Sequence, residues 1–232
     1  MKSLKLHRWN ISVKEALDIQ NKLSKCVIQQ KLDKPVKVLA GCDVAFEKNS
    51  YLACAGIVLM SFPELDLIDE KVIFSTIKFP YIQGFLSFRE TPALLEIFKT
   101  IKAKIDLIFV DGYGIAHPRK FGIASHLGLI LDLPTIGCGK TYLIGEYDEP
   151  KVDAGDYSWL FYKDEIVGAV VRTKTKVKPI FVSVGHKICL NDAIEFTLKC
   201  CKGYRIPEPI RMAHIIVNRN LKEKKLKSVA GK

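Results

Sequence analysis

Apolar residues recur at helical intervals near the start of the chain and then give way to continuous apolar runs. Ser12 and Glu15 form a capping-box pattern, and the apolar positions after them predict an amphipathic helix to about Gln30. Three runs rich in β-forming residues come next and predict strands at 36–46, 51–62 and 67–79. Because the turns between them are short, we expect an antiparallel three-strand meander.

Helices alternate with short apolar runs in the next part of the chain. A helix from about Phe88 to Lys104 is predicted to lead into the strand IDLIFVD at 105–111, which suits a parallel strand buried on both faces. The pattern then predicts a helix through 121–131, a strand near 134–138 and a helix near 191–202. This order is typical of an α/β, ribonuclease H-like mixed sheet flanked by helices, in which the antiparallel meander is followed by parallel strands and the first and fourth strands are neighbours.

Composition favours a single domain with a basic surface. The chain has 232 residues, of which 48% are hydrophobic, enough for one sizeable core. Lys and Arg number 36 against 25 Asp and Glu, and the net charge of +11 favours phosphate backbones or anionic membrane surfaces as partners. We predict one domain over residues 1–218 and a basic, disordered C-terminal tail at 219–232.

The sequence also bears on cellular location. No apolar run approaches the ~20 residues that span a bilayer, and the first ten residues lack the apolar core of a signal peptide. We therefore expect a cytoplasmic protein that does not bind membranes, and a monomer is the simplest expectation. The seven cysteines lack zinc-like spacing and mostly lie in apolar surroundings, as Cys42, Cys54 and Cys138 do, which predicts core residues rather than metal ligands.

Acidic residues in or beside predicted strands are candidates for catalysis. Asp43 lies inside the first strand, where an unpaired ionised carboxylate is costly, so it requires a cation or strong hydrogen bonds. Asp111 ends the strand 105–111, at the edge where α/β sheets gather catalytic groups. If the two strands are parallel neighbours, the carboxylates converge and favour Mg²⁺ or Mn²⁺. Taken alone, Asp111 is an equally good turn former, and Glu90 fits a helix-capping pattern better than a metal site.

Three segments carry a more specific pattern. They are PYIQGFLSFRE at 80–90, DGYGIAHPRKFGIASHLG at 111–128 and PTIGCGKT at 134–141. In this order they resemble the endonuclease V family, and the resemblance extends from the strand of Asp43 through KPIFVSVGHKICL at 178–190 to His214. It implies a ribonuclease H-like domain that recognises inosine or deoxyinosine and hydrolyses the second phosphodiester on its 3′ side, leaving 3′-hydroxyl and 5′-phosphate ends.

The resemblance also implies catalytic roles. Asp43, Glu90 and Asp111 would bind the metal, with Mg²⁺ expected and Mn²⁺ as a substitute. Lys140 would stabilise negative charge that develops on the phosphate, and His214 would position or deprotonate the attacking water. Without the resemblance, His214 is more typical of a helix-surface or core histidine.

Other implied residues would contact the nucleic acid. The loop Pro80-Tyr81-Ile82-Gln83 resembles the family's wedge, an aromatic-tipped loop that takes the place of a flipped base and recovers part of the lost stacking. The implied base pocket is formed by Gly84, Leu86, Gly112 and Ile123, and the implied contacts with the nucleic-acid backbone are His117, Arg119 and Lys120. Two positions depart from the family pattern: Gln83 replaces a proline of the wedge, and Tyr113 stands where many relatives carry histidine. Both departures affect the expected substrate preference more than catalysis.

Other functions fit the sequence less well. The segment 137–141 resembles part of a P-loop, but Pro134 stands where the first P-loop glycine is needed, which disfavours ATP hydrolysis. A non-catalytic nucleic-acid-binding protein has no need of all three carboxylates. We therefore expect a deoxyribonuclease V-like endonuclease that initiates repair of deoxyinosine in DNA, with an inosine-specific endoribonuclease as the alternative. The compact length favours DNA, and no motif reveals contacts with a 2′-hydroxyl.

Overall fold

The computed structural model describes residues 3–47 and 50–230, except for the side chains of 227–230. Up to residue 139, its helices and strands follow one another in the order that the apolar pattern predicts. They are α1 Val13–Leu23, β1 Val38–Phe46, β2 Leu52–Ser61, β3 Leu67–Thr76, α2 Leu86–Thr100, β4 Leu107–Asp111, α3 Ile123–Leu131, β5 Thr135–Gly139, β6 Tyr157–Tyr162, β7 Glu165–Val171, β8 Ile180–His186, α4 Leu190–Lys199 and α5 Glu208–Ala230.

One mixed sheet organises the described part of the chain, and its strand order is β3-β2-β1-β4-β5-β8-β7-β6. β1 pairs with β2 in antiparallel fashion and with β4 in parallel, and β4 pairs in parallel with β5. This confirms the predicted meander, the neighbouring first and fourth strands and the ribonuclease H-like mixed sheet. Apolar residues from both sheet faces pack against helices, which bury nearly all of β2, β4, β5 and β8.

Two further sequence predictions concern α1 and the cysteines. The Ser12–Glu15 capping box is present, but α1 ends at Leu23 and a short 3₁₀ turn follows it, so the predicted helix to Gln30 is too long. Cys42, Cys54 and Cys138 are buried free thiols, as predicted.

No helix within residues 3–47 and 50–230 is both long and apolar enough to cross a membrane.

The local pattern missed three strands and gave the wrong structure for the C-terminal segment. Strands β6, β7 and β8 were not predicted, and residues 219–230 continue helix α5 instead of forming a disordered tail; residues 231–232 lie outside the described residues. The lysine-rich composition of this segment suggested a solvated chain, but its helix is anchored to the sheet. Arg219 Nη2 lies 2.5 Å from Glu70 Oε1, and the ammonium group of Lys224 lies 4.0 Å from the centre of the Phe74 ring.

Helix α5 crosses β1 at Gly41. A Cβ atom at this position would lie 2.0 Å from the carbonyl oxygen of Pro209, so only glycine lets the helix approach this closely. Gly41→Ala is therefore expected to lower the free energy of unfolding by about 1–3 kcal/mol, the usual cost of overpacking. Urea denaturation followed by circular dichroism measures this change, and a variant as stable as the wild type would contradict the described packing.

Candidate active site

Parallel pairing of β1 and β4 places two carboxylates side by side. Cys42 is paired with Val110, so the next residues, Asp43 and Asp111, lie on adjacent strands at the same edge of the sheet. His214 approaches from α5, and its Nδ1 lies 2.8 Å from Asp43 Oδ2. One potential ligand atom from each of Asp43, Asp111 and His214 lies within 4.8 Å of the others. The predicted convergence of the two aspartates is therefore present.

Lys140 follows β5 and supplies a positive charge to this cluster. Its Nζ contacts Asp111 Oδ2, and its carbonyl oxygen accepts a hydrogen bond of 2.6 Å from Arg205 Nη2. The second contact holds the backbone of Lys140 while its side chain remains partly exposed. The side chain of Lys140 thus lies beside Asp111 with part of its surface open to solvent.

Glu90 lies on α2 and is buried next to the two aspartates. Burial is the main reason why the pKa of Glu90 is raised well above its usual range, and the negative charges of Asp43 and Asp111 raise it further. Its carboxylate does not belong to the group of donor atoms defined above, although it experiences the charge of both aspartates. The capping interpretation is not supported, because Phe85 is the N-cap of α2 and makes no side-chain cap hydrogen bond.

Asp43, Asp111 and His214 bring their donor atoms close enough together to hold a metal ion. Burial and the charge of Asp43 raise the pKa of Asp111, although Lys140 acts in the opposite direction. Ionised carboxylates this close repel one another unless a cation lies among them. Carboxylate oxygens with one imidazole nitrogen nearby form a donor set that fits a small divalent ion.

A cavity of about 250 Å³ lies next to the cleft that contains the carboxylates. Of the residues predicted for the base pocket, Gly84, Leu86 and Ile123 line this cavity, whereas Gly112 lines the neighbouring cleft that contains the carboxylates. Three residues line both the cavity and the cleft: Leu86, Tyr113 and Thr141. The cavity and the cleft that contains the carboxylates are therefore neighbours that share part of their lining.

The predicted wedge loop forms an outer wall of the cavity. Tyr81, Ile82 and Gln83 line it, and the side chain of Tyr81 is 74% exposed. Pro80 is exposed immediately before them. An exposed aromatic side chain at the mouth of a cavity has the position that a wedge requires, although contact with nucleic acid stays a prediction.

The three residues predicted to contact the nucleic-acid backbone have partners within the protein. His117 is buried, and its Nε2 lies 2.9 Å from the carbonyl oxygen of Gly84, to which Arg119 Nη2 also donates a hydrogen bond of 2.7 Å. Burial and the charge of Arg119 lower the pKa of His117 to about 4, which keeps this ring neutral at physiological pH. Lys120 Nζ lies 2.5 Å from Glu165 Oε2 at the surface.

Sequence reasoning missed Gln20, which also lines the cavity. It belongs to α1 and is buried with Ala16 and Leu23, four positions before it and three after it. A polar residue on the apolar face of an amphipathic helix was the available signal, because a buried amide requires hydrogen-bond partners.

Comparison with known proteins identifies the family. The family model of endonuclease V matches residues 21–215. The chain belongs to the endonuclease V family. Endonuclease V of Gloeobacter violaceus is 44% identical over 215 residues, which cover 91% of this chain and 87% of that protein. The resemblance inferred from the three sequence segments is thereby confirmed, and the chain is an endonuclease.

Solved structures of endonuclease V proteins share the fold. The crystal structure from Streptomyces avermitilis has a TM-score of 0.88 and 37% identity, and the match covers 94% of this chain and 96% of that one. A second structure, from Ciona intestinalis, has a TM-score of 0.81 and 31% identity, with coverage of 91% and 98%. The Ciona protein is in complex with a DNA 24-mer that contains an inosine followed by a ribo-adenosine.

Proposed function

We propose that this chain is a magnesium-dependent endonuclease that recognises deoxyinosine in DNA and hydrolyses the second phosphodiester on its 3′ side, thereby initiating repair. The observation that carries the proposal is that the cavity lies next to the cleft of the carboxylates and shares Leu86, Tyr113 and Thr141 with it as lining residues. A flipped base in the cavity and a nearby phosphodiester beside the carboxylates can then belong to one bound strand. The DNA complex of the Ciona relative supports this substrate class.

We assign the metal to Asp43, Glu90 and Asp111, with Mn²⁺ as an alternative to Mg²⁺. Burial and nearby negative charge raise the pKa values of Glu90 and Asp111, and a cation held among the carboxyl groups would offset this by favouring their ionised forms. When bound, the ion supplies Lewis-acid polarisation of the phosphate and favours ionisation of water. His214 is close enough to Asp43 for the carboxylate to orient its ring, which fits a role in positioning water or accepting its proton.

Hydrolysis then consists of attack by water oxygen on phosphorus and cleavage of the bond from phosphorus to the 3′ oxygen. The leaving oxygen takes up a proton, which gives the 3′-hydroxyl, and the phosphate stays on the 5′ end. Lys140 is partly exposed beside Asp111, so its ammonium group can neutralise charge that develops on the phosphate oxygens.

We assign strand separation to the wedge loop Pro80–Gln83 and base contacts to residues of both adjoining spaces. Gly84, Leu86 and Ile123 line the cavity, whereas Gly112 lines the neighbouring cleft that contains the carboxylates. Lys120 is the best placed of the predicted backbone contacts, because its side chain is at the surface. His117 and Arg119 are directed towards Gly84 instead. A cytoplasmic monomer remains our expectation.

DNA is expected to be the better substrate, and inosine-containing RNA is the second candidate. RNA is retained as the second candidate because a ribonucleotide follows the inosine in the ligand of the Ciona complex. Single-turnover rates with Mg²⁺ on matched deoxyinosine DNA and inosine RNA test the preference, with adenine-containing strands as controls. Faster cleavage of RNA would favour the endoribonuclease. Binding without cleavage of either strand would overturn the proposed nuclease activity.

A further inference from the structure

Gln20 is a buried polar side chain at the edge of the base cavity. It is 1% exposed, and both ends of its amide group are engaged. Its Nε2 donates hydrogen bonds to the carbonyl oxygens of Gly84, at 2.9 Å, and Phe121, at 3.1 Å. Its Oε1 accepts a hydrogen bond of 2.6 Å from Arg119 Nε. A buried amide with this many partners has one strongly preferred position.

The two carbonyl groups belong to different walls of the cavity. Gly84 directly follows the wedge loop, whereas Phe121 precedes Gly122 and Ile123, which line the cavity at the start of α3. A single amide nitrogen of α1 therefore joins segments that are distant in sequence. The separation of these walls depends on the position of Gln20.

The carbonyl oxygen of Gly84 is the centre of a larger polar cluster. His117 Nε2 and Arg119 Nη2 lie 2.9 and 2.7 Å from it, in addition to Gln20. Gly84 has a φ of +80°, and a Cβ atom there would lie 2.8 Å from Arg119 Nη2. Glycine thus permits both the backbone conformation and the close approach of the guanidinium group. The Arg119 guanidinium carbon also lies 4.4 Å from the centre of the Phe85 ring, which further holds this wall.

We propose that Gln20 is a positioning residue for base recognition, which acts by holding the Gly84 and Phe121 walls at the separation that fits the flipped base. This inference rests on the proposed recognition of deoxyinosine. Readout of a base by hydrogen bonds requires the protein groups to be held within about 0.5 Å of their productive positions. A wall released by loss of Gln20 accepts the correct base less well, whereas general attraction to the phosphate backbone is unaffected.

Equilibrium binding in Mg²⁺, with catalysis blocked by a non-hydrolysable linkage at the scissile position, tests this role. The dissociation constants of the full chain are measured for matched oligonucleotides that carry deoxyinosine or deoxyadenosine at one position. Gln20→Met, which keeps the approximate volume without the amide, is expected to reduce the preference for deoxyinosine by about tenfold, as expected when one or two recognition hydrogen bonds are misplaced. The dissociation constant for the deoxyadenosine strand should remain within about twofold of the wild-type value.

Two further variants separate positioning from general stability. Gln20→Glu can still accept from Arg119 but cannot donate to the two carbonyl groups when ionised, so the same loss of preference is expected. His186→Leu removes a buried ring that accepts a hydrogen bond from Ile28 N at the opposite edge of the sheet, and its preference should equal that of the wild type. Circular dichroism verifies that each variant is folded.

The outcomes distinguish the inference from the function on which it rests. If the wild type prefers the deoxyinosine strand and the folded Gln20 variants show the same preference, the positioning role alone is overturned. If the wild type binds both strands equally, recognition of deoxyinosine is overturned and this inference with it. A loss of preference in His186→Leu as large as in the Gln20 variants would also contradict a specific role for Gln20.

Discussion

Replacing Asp111 by asparagine is expected to lower the rate of cleavage at deoxyinosine by at least about 10³-fold, because metal-supported stabilisation of the transition state is worth several kcal/mol. Asp111 contacts Lys140 and lies in the cluster with Asp43 and His214, so the substitution removes one negative charge from the centre of the site. Single-turnover cleavage of a deoxyinosine oligonucleotide with saturating Mg²⁺ measures the effect. The fold should remain intact, since asparagine has nearly the same shape.

The same variant should be at least as thermally stable as the wild type in EDTA at neutral pH. Burial and the charge of Asp43 raise the pKa of Asp111, so its ionised form destabilises the folded state. This penalty is fully present above the raised pKa of Asp111 in the folded protein. It disappears as the pH falls below the pKa that Asp111 has in the unfolded chain. The stability difference should therefore shrink on acidification.

Asp132→Asn is the matched control for this substitution. Asp132 forms a salt bridge with Lys187 at the opposite edge of the sheet, where the same chemical change should leave cleavage unaffected. Cleavage by Asp111→Asn within about tenfold of the wild-type rate would contradict the metal assignment.

Replacing Tyr81 by alanine is expected to slow cleavage of duplex DNA by about 10- to 100-fold, because base–aromatic stacking contributes about 1–3 kcal/mol. Its ring is exposed at the mouth of the cavity and is available to replace an extruded base. A single strand requires no separation of base pairs, so its cleavage should change much less. The measurement compares kcat/KM on duplex and single-stranded substrates with the same lesion.

Tyr157→Ala controls for the loss of an exposed tyrosine. Tyr157 lies on the edge strand β6 and is 45% exposed, so this variant should retain the wild-type ratio of duplex to single-strand cleavage. Equal losses on both substrates in Tyr81→Ala would indicate that Tyr81 contributes to binding or folding and does not act as a wedge.

The two departures from the family pattern both lie beside the proposed substrate path. Gln83 lines the cavity where a proline was expected, which removes a restraint on the wedge backbone. Tyr113 borders the cavity and the carboxylate cleft, and its hydroxyl donates to the carbonyl oxygen of Thr141. Gly139 makes room for this ring, because a Cβ atom there would lie 2.4 Å from it. Both positions are therefore placed to influence which nucleotides enter the site.

Local sequence patterns predicted the part of the fold that holds the aspartates. The apolar runs around Asp43 and before Asp111 identified β1 and β4, and the element order placed them side by side. Strands β6–β8 were missed, although β7 and β8 are mostly buried in the structure. Helix α5 was mistaken for a solvated tail beyond residue 218, because a lysine-rich composition does not reveal that the sheet supports the helix.

The sequence by itself determined the family, the mixed sheet and the convergence of Asp43 with Asp111, because these follow from continuous motifs and from the periodicity of neighbouring residues. Only the tertiary structure decided that His214 lies against Asp43, 171 residues away in sequence. It likewise brought Gln20, His117 and Arg119 to one carbonyl oxygen of Gly84. Such contacts depend on how separate helices and loops pack across the molecule, and the local pattern around each residue does not specify its distant partners.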